Sequence, residues 1–324
     1  MKRCLAAMVT FLSLASLAAD VTGTSGDWSF TIVDYGLDTA YARIDGVVGS
    51  DYRETLTVPE SVTYSSRSYR VRAVGSNAGR NLSCGSLNVP ASAMELGGCF
   101  KGAKITGTLK VTKSSDGNYY PVPEQMFQEV NMRRVELDGV ASLPCDYYTE
   151  GAFRSCTNLV SVVLGEGLRE IGESTFGNCT ALASVSIPDT VTNIAWQAFL
   201  NCTSLASVRF GSGLRTICGQ AFQNCSALGS IEIPDNVTNV AYRAFYKCSS
   251  VTNIVIGSGL SPVPADVFPL DAPVDTLTVN GSGETVIAEQ AFADSKIRHL
   301  VLNGVAALPC DYYTEGAFRS CTNL

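Results

Sequence analysis

The sequence predicts a repeat solenoid. Short parallel strands stack on one face, turns and short helical or 3₁₀ segments form the other, and a β-rich cap closes the N-terminal side. Three observations lead there. Cys156, Cys179, Cys202, Cys225 and Cys248 follow one another at a constant interval of 23 residues. Phe153, Phe176, Phe199, Phe222, Phe245 and Phe268 keep that interval. Apolar positions move in step: Leu159, Leu182, Leu205, Leu228 and Val251, then Val162, Val185, Val208, Ile231 and Ile254. One such unit cannot bury its own apolar face, whereas stacked units share a continuous core. With 46% hydrophobic and 16% charged residues among 324, global disorder is excluded.

The elements follow in order. Lys2 and Arg3 precede an apolar stretch from Cys4 to about Ala18, and Ser16-Leu17-Ala18 offers small residues for cleavage before Ala19. Residues 1–18 are therefore expected to be a signal peptide, the stretch being shorter than the roughly 20 residues of a membrane span. No later apolar run reaches that length, so no transmembrane segment is expected after it. Residues 19–55, with Trp28, Phe30 and Ile32 in alternation, read as the β-rich cap. Repeats are expected over 56–324, regular from about 139 to 260 and irregular over 56–138 and 261–324.

Within a regular unit, alternation places Val185 and Ile187 inward and Ser184 and Ser186 outward, which describes a short strand. Pro188-Asp189, or a glycine pair such as Gly211 and Gly213, ends the strand and turns the chain. Val191 and Ile194 cover the far side of the core. Ala198-Phe199-Leu200-Asn201-Cys202 reads as a helical or 3₁₀ turn that drops Phe and Cys inward. The spacing L-x-x-L-x-L at this period is that of a leucine-rich solenoid. A second-order period of 46 residues is also present, since Pro188-Asp189 matches Pro234-Asp235 and Trp196 matches Tyr242. A third repeat displaces residues 139–159 by 165 onto 304–324, with Ser142 against Ala307 the single change. A solenoid normally ends in a polar cap, so the expectation is a fragment or an end left by a truncated gene, the alternative being a natural end that lies frayed.

The pattern I-P-x-x-V-x-x-I-x-x-x-A-F-x-x-C-x-x-L, running from Ile187 to Leu205, resembles the BspA-type leucine-rich repeat. The resemblance is good from about 139 to 260, looser from 56 to 138, and resumes near 284. It implies a right-handed solenoid of short parallel strands, usually on exported or surface proteins of bacteria and some protozoa. It also implies adhesion to host matrix proteins or other cells, as some members are implicated in. No recognisable anchoring segment accompanies it.

Chemistry is narrowed by composition. A net charge of −7 leaves no basic footprint for nucleic acid. His299 is the chain's one histidine, which excludes multi-histidine metal sites and H-E-x-x-H proteases. It falls in a predicted strand, where a surface histidine is ordinary, and no G-x-S-x-G elbow exists to pair with it. Two carboxylates across a cleft would suffice for a glycosidase, yet a solenoid without inserted domains rarely builds one. No catalytic residue, metal ligand or cofactor is assigned. The column cysteines read as buried structural thiols, because side chains in one column point in parallel rather than at each other. Cys145 and Cys310, outside the column, are better candidates for reactivity. Sequons at Asn81, Asn178, Asn201, Asn224, Asn236 and Asn280 read as repeat consensus rather than glycosylation sites.

The outward strand positions form the candidate binding face: Ser184, Ser186, Ser207, Arg209, Ser230, Glu232 and Asn253. Arg209 and Glu232 are placed to form a cross-strand pair, and a merely solvated face is the competing reading. The segment from Pro144 to Glu150, repeated as Pro309 to Glu315, offers candidate binding loops through Tyr147, Tyr148, Tyr312 and Tyr313. Packing of those rings on the next rung is the alternative. The expected function is an exported, secreted or cell-surface, non-catalytic module that binds protein on a host matrix or another cell. The alternative is a structural spacer or surface-layer solenoid without a specific ligand.

Overall fold

From Leu182 to Leu205 the chain traces one full turn of the solenoid. Ser184–Ser186 is the front strand, with Val185 buried between two exposed serines. At Pro188 the chain bends, and the Val191 N–H donates to the Pro188 carbonyl at 3.1 Å. Asn193–Ile194 makes a two-residue strand on the far side. The return passes through Ala198, Phe199, Cys202 and Leu205, all fully buried. The computed structural model describes residues 20–324 apart from 35–37, 77, 80–81, 96–98, 145–150, 270 and 309–315.

Stacked turns build parallel sheets. The first front sheet runs Ser207–Arg209, Ser184–Ser186, Ser161–Leu164, Arg134–Leu137, Thr108–Thr112, Ser83–Pro90, Arg53–Thr57, with Lys104–Ile105 pairing beside Ser83–Pro90. A second continues with Ser230–Ile233, Asn253–Ile256, Thr276–Val286 and His299–Ala307. Register advances by whole repeats, Val185 lying opposite Val208 and Ser186 opposite Arg209. A four-stranded sheet on the far side joins Glu170–Ile171, Asn193–Ile194, Thr216–Ile217 and Asn239–Val240. Strands of two residues are too short for alternation to reveal, so this sheet is a finding of the structure.

The remaining side is an edge of turns. Left-handed residues recur four apart in it, at Gln197 and Asn201 (φ 56° and 59°) and again at Gln220 and Asn224 (φ 57° and 62°). Each interrupts any helix, so N–H groups reach along the solenoid axis instead. Phe199 donates to the Ala221 carbonyl at 2.8 Å and Asn201 to that of Gln223 at 2.9 Å. The A-F-x-x-C segment is thus a turn, and the 3₁₀ element Ala91–Met94 is the one helix among the described residues.

Inside, ten phenylalanine rings from Phe100 to Phe318 stack in one column. Phe199 and Phe222 are 5.1 Å apart, and the widest step is 6.3 Å, between Phe245 and Phe268. Between rungs, the 46-residue alternation has a steric cause. A Cβ on Gly213 would collide with the Asp189 carbonyl, so a Pro-Asp rung needs a glycine rung beside it. The Asp189 carboxylate then accepts the Ser212 N–H at 2.7 Å, and Asp235 accepts that of Ser258 at 2.8 Å.

On the N-terminal side a five-stranded sheet runs in the order Val21–Ser25, Trp28–Val33, Tyr41–Val47, Arg67–Val74, Ser61–Tyr64, so strands from the segment expected to hold the first irregular repeats join those of residues 19–55. Trp28, Phe30 and Ile32 are buried as alternation predicts. The Trp28 indole N–H donates to the Thr57 carbonyl at 2.8 Å, tying the cap to the first front strand.

Candidate functional site

Front-strand pleating sends alternate side chains outward, and the seven predicted face residues all lie on front strands. Ser184, Ser186, Ser207, Arg209 and Glu232 are exposed, while Ser230 and Asn253 are half-buried. Ser184 faces Ser207 and Ser186 faces Arg209 on one sheet, and Ser230 faces Asn253 on the other. The structure does not join the two groups into one ladder. Strand pairing stops after Ser207–Arg209 and resumes at Ser230–Ile233. The interruption coincides with Phe210, which stands where other rungs have Leu164, Ile187, Ile233 and Ile256. Its half-buried ring turns edge-on to Phe222 at 5.7 Å.

The expected Arg209–Glu232 pair is accordingly corrected: no ion pair joins them among the described residues. Without a shared ladder, the two side chains are not held opposite each other. Arg209 instead borders a shallow cleft of about 300 Å³ with Val163, Glu166, Ser186, Pro188 and Asp189. The Ile187 N–H donates to the Arg209 carbonyl at 2.8 Å and fixes that edge. The backbone and hydroxyl of Ser212 hold the Asp189 carboxyl below its ordinary range, with a smaller contribution from the Arg209 charge. The cleft therefore presents two carboxylates, a guanidinium and the exposed apolar side chain of Val163, which is 44% accessible. Glu166 and Asp189 were not among the candidates from sequence. Their signal lay in the turn after each strand, which was read only as a chain reversal.

Tyr147, Tyr148, Tyr312 and Tyr313 lie outside the described residues, as do Cys145, Cys310, Asn81 and the signal-peptide region. His299 is exposed on its strand, with Nδ1 3.4 Å from Asp275, and no nucleophile is hydrogen-bonded to it among the described residues. The column cysteines are free and buried, as the sequence suggests. Among the described residues no group of His, Cys, Asp and Glu is placed to hold a metal, and no helix is long and apolar enough to cross a membrane. The recurring sequon asparagines form a side-chain ladder. Asn201 donates to Asn178 at 2.8 Å and Asn224 to Asn201 at 2.9 Å.

Comparison with curated proteins finds no match. Among solved structures the chain is similar to a leucine-rich repeat protein from Bacteroides ovatus, at 16% identity over 93% of this chain and 80% of that one, with a TM-score of 0.50. A leucine rich cell surface protein from Faecalibacterium prausnitzii matches at 18% identity over 88% of this chain and 95% of that one, TM-score 0.38. The pneumococcal vaccine antigen PcpA matches at 12% identity over 86% and 93%, TM-score 0.39. At such identity the first likeness speaks for the fold alone. The family model for the BspA type leucine rich repeat region matches residues 72–206 and 146–271, in 6 copies. With most of its length covered by that match and its rungs stacked as described, the chain belongs to the BspA-type leucine-rich repeat family.

Proposed function

We propose that this chain is an exported, non-catalytic recognition module that binds protein on a host matrix or cell surface through its front strands. The observation that carries the reading is the cleft at Arg209, where a cation, two carboxylates and an apolar patch line one opening on the front face. Family membership supports it, since leucine-rich repeats of this kind are generally interaction modules without catalysis. Affinity would come from area and repetition rather than from one enclosed pocket. Export rests on the charge, length and small-residue pattern of residues 1–18.

The test is solid-phase binding of the chain from Ala19 onward to matrix proteins and whole cells. Variants are Arg209→Glu and the fourfold Tyr147→Ala/Tyr148→Ala/Tyr312→Ala/Tyr313→Ala. Saturable binding that weakens about tenfold or more in Arg209→Glu supports the front face, an effect in the range of a lost charged contact. Loss in the tyrosine variant alone moves the site to the loops. A chain folded by circular dichroism that binds nothing saturably favours the spacer role.

A further inference from the structure

On the turn edge the run of regular 23-residue rungs ends after Phe268. A step of 23 from Cys248 falls on Asp271, so an exposed carboxylate replaces a buried thiol, with Pro269 and Pro273 around it. The phenylalanine column widens there to 6.3 Å between Phe245 and Phe268. A cleft of about 210 Å³ opens between the rungs. Tyr246, Pro269 and Ala272 give it an apolar wall, and Asn224, Lys247, Ser249 and Asp271 line the rest.

Its polar groups are available. The asparagine ladder stops at Asn224, because Lys247 occupies the next position in the column. Asn224 lines the cleft, its Nδ2 donates to Asn201, and its Oδ1 accepts from no donor among the described residues. Lys247 lies with Nζ 5.6 Å from the Tyr246 ring centre, and the Arg243 guanidinium sits 4.9 Å from that ring and 4.7 Å from Tyr242. Arg43, Arg53, Arg70, Arg72 and Arg134 all hold carboxylates. Lys247 and Arg243 hold none among the described residues; tyrosine rings position them instead.

We infer that this cleft binds a single neutral pyranose ring of a glycan. Lys247 and Asp271 oppose each other in charge, which disfavours an anion or a cation as ligand. Lys247 donates, Asp271 and the Asn224 carbonyl accept, and Ser249 does both. A ligand satisfying all four must present several groups that donate and accept alike, which is the property of ring hydroxyls. The apolar wall suits the C–H face of the same ring. The site belongs to the turn edge and is separate from the strand face proposed above for protein binding.

Saturation-transfer NMR on the intact chain tests this, with the methyl pyranosides of glucose, galactose, mannose and N-acetylglucosamine at millimolar concentration as probes. Transfer to ring protons of at least one is expected. Its affinity should fall about tenfold in Lys247→Met and in Asp271→Ala, both exposed positions, as loss of a charged hydrogen bond implies. It should be unchanged in Lys104→Met, an exposed position on a front strand outside both proposed sites. Circular dichroism confirms that each variant is folded. No transfer from any pyranoside, transfer that survives both cleft variants, or stronger binding of N-acetyl dipeptide amides than of every pyranoside would overturn the assignment.

Discussion

Each column cysteine donates its thiol hydrogen to the carbonyl of a phenylalanine on the preceding rung: Cys202 to Phe176 at 3.2 Å, Cys225 to Phe199 at 3.3 Å, Cys248 to Phe222 at 3.2 Å. Each of these carbonyls also accepts the backbone N–H of the cysteine on its own rung, Cys179 to Phe176 at 3.2 Å for instance, so the thiol adds a second donor that links neighbouring rungs. Burial pushes all five thiols up, Cys156 and Cys248 from an ordinary value of 9.0 to about 12. The folded chain keeps protons that the unfolded chain releases. The stability these thiols contribute is therefore complete below pH 9 and drains away as pH rises from there toward 12. Urea midpoints are expected to be flat from about pH 7 to 8.5 and to fall above pH 9. In the same native chain at about pH 8, a thiol-specific reagent should leave the five column cysteines unmodified and label the partly exposed Cys99, Cys218 and Cys321. Rapid labelling of Cys202 would contradict this account.

At the scale of the element, the turn edge trades helix for ladder. Asn201 illustrates the exchange: a left-handed backbone at φ 59°, one amide donated to Asn178 and one accepted from Asn224. Asparagine tolerates that conformation better than other residues with a Cβ. Asn201→Ala is expected to lose about 2 kcal/mol, from strain and two broken side-chain bonds. Asn201→Gly should lose less, because glycine carries no strain there. Equal losses in urea unfolding would place the whole effect in the ladder. The same asparagines were legible in the sequence as a recurrent column of repeat consensus. Their geometry was not legible. The motif Ala-Phe-x-x-Cys suits a helical turn as well as an extended one, and only bonding to the next rung selects between them. The Pro-Asp and Gly-Ser-Gly alternation was likewise visible as a 46-residue period, yet its cause is a contact between chains segments 23 residues apart.

The whole molecule is close to one-dimensional, since each rung touches only the rungs before and after it. Coupling between substitutions should therefore decay within one rung. Phe199→Leu and Phe222→Leu, whose rings are 5.1 Å apart, are expected to be non-additive in unfolding free energy by about 0.5–1 kcal/mol. Phe153→Leu and Phe245→Leu, separated by three intervening rings, should add to within about 0.3–0.5 kcal/mol. Strong coupling in the distant pair would mean that the core responds as a single body.

Sequence alone determined the period, the inward and outward residues of the regular front strands, the buried cysteine and phenylalanine columns, and hence the solenoid. Burial imposed on every rung leaves its record at a constant interval, and such a record needs no knowledge of the fold. Tertiary structure alone decided which exposed residues meet. Whether Arg209 stands opposite Glu232 or lines a cleft with Asp189 depends on a ladder that stops beside Phe210. Whether Lys247 and Asp271 share a cleft depends on one rung leaving register. Both are relations between neighbouring rungs, and a repeat written once per turn specifies its own core more fully than it specifies the gaps between turns.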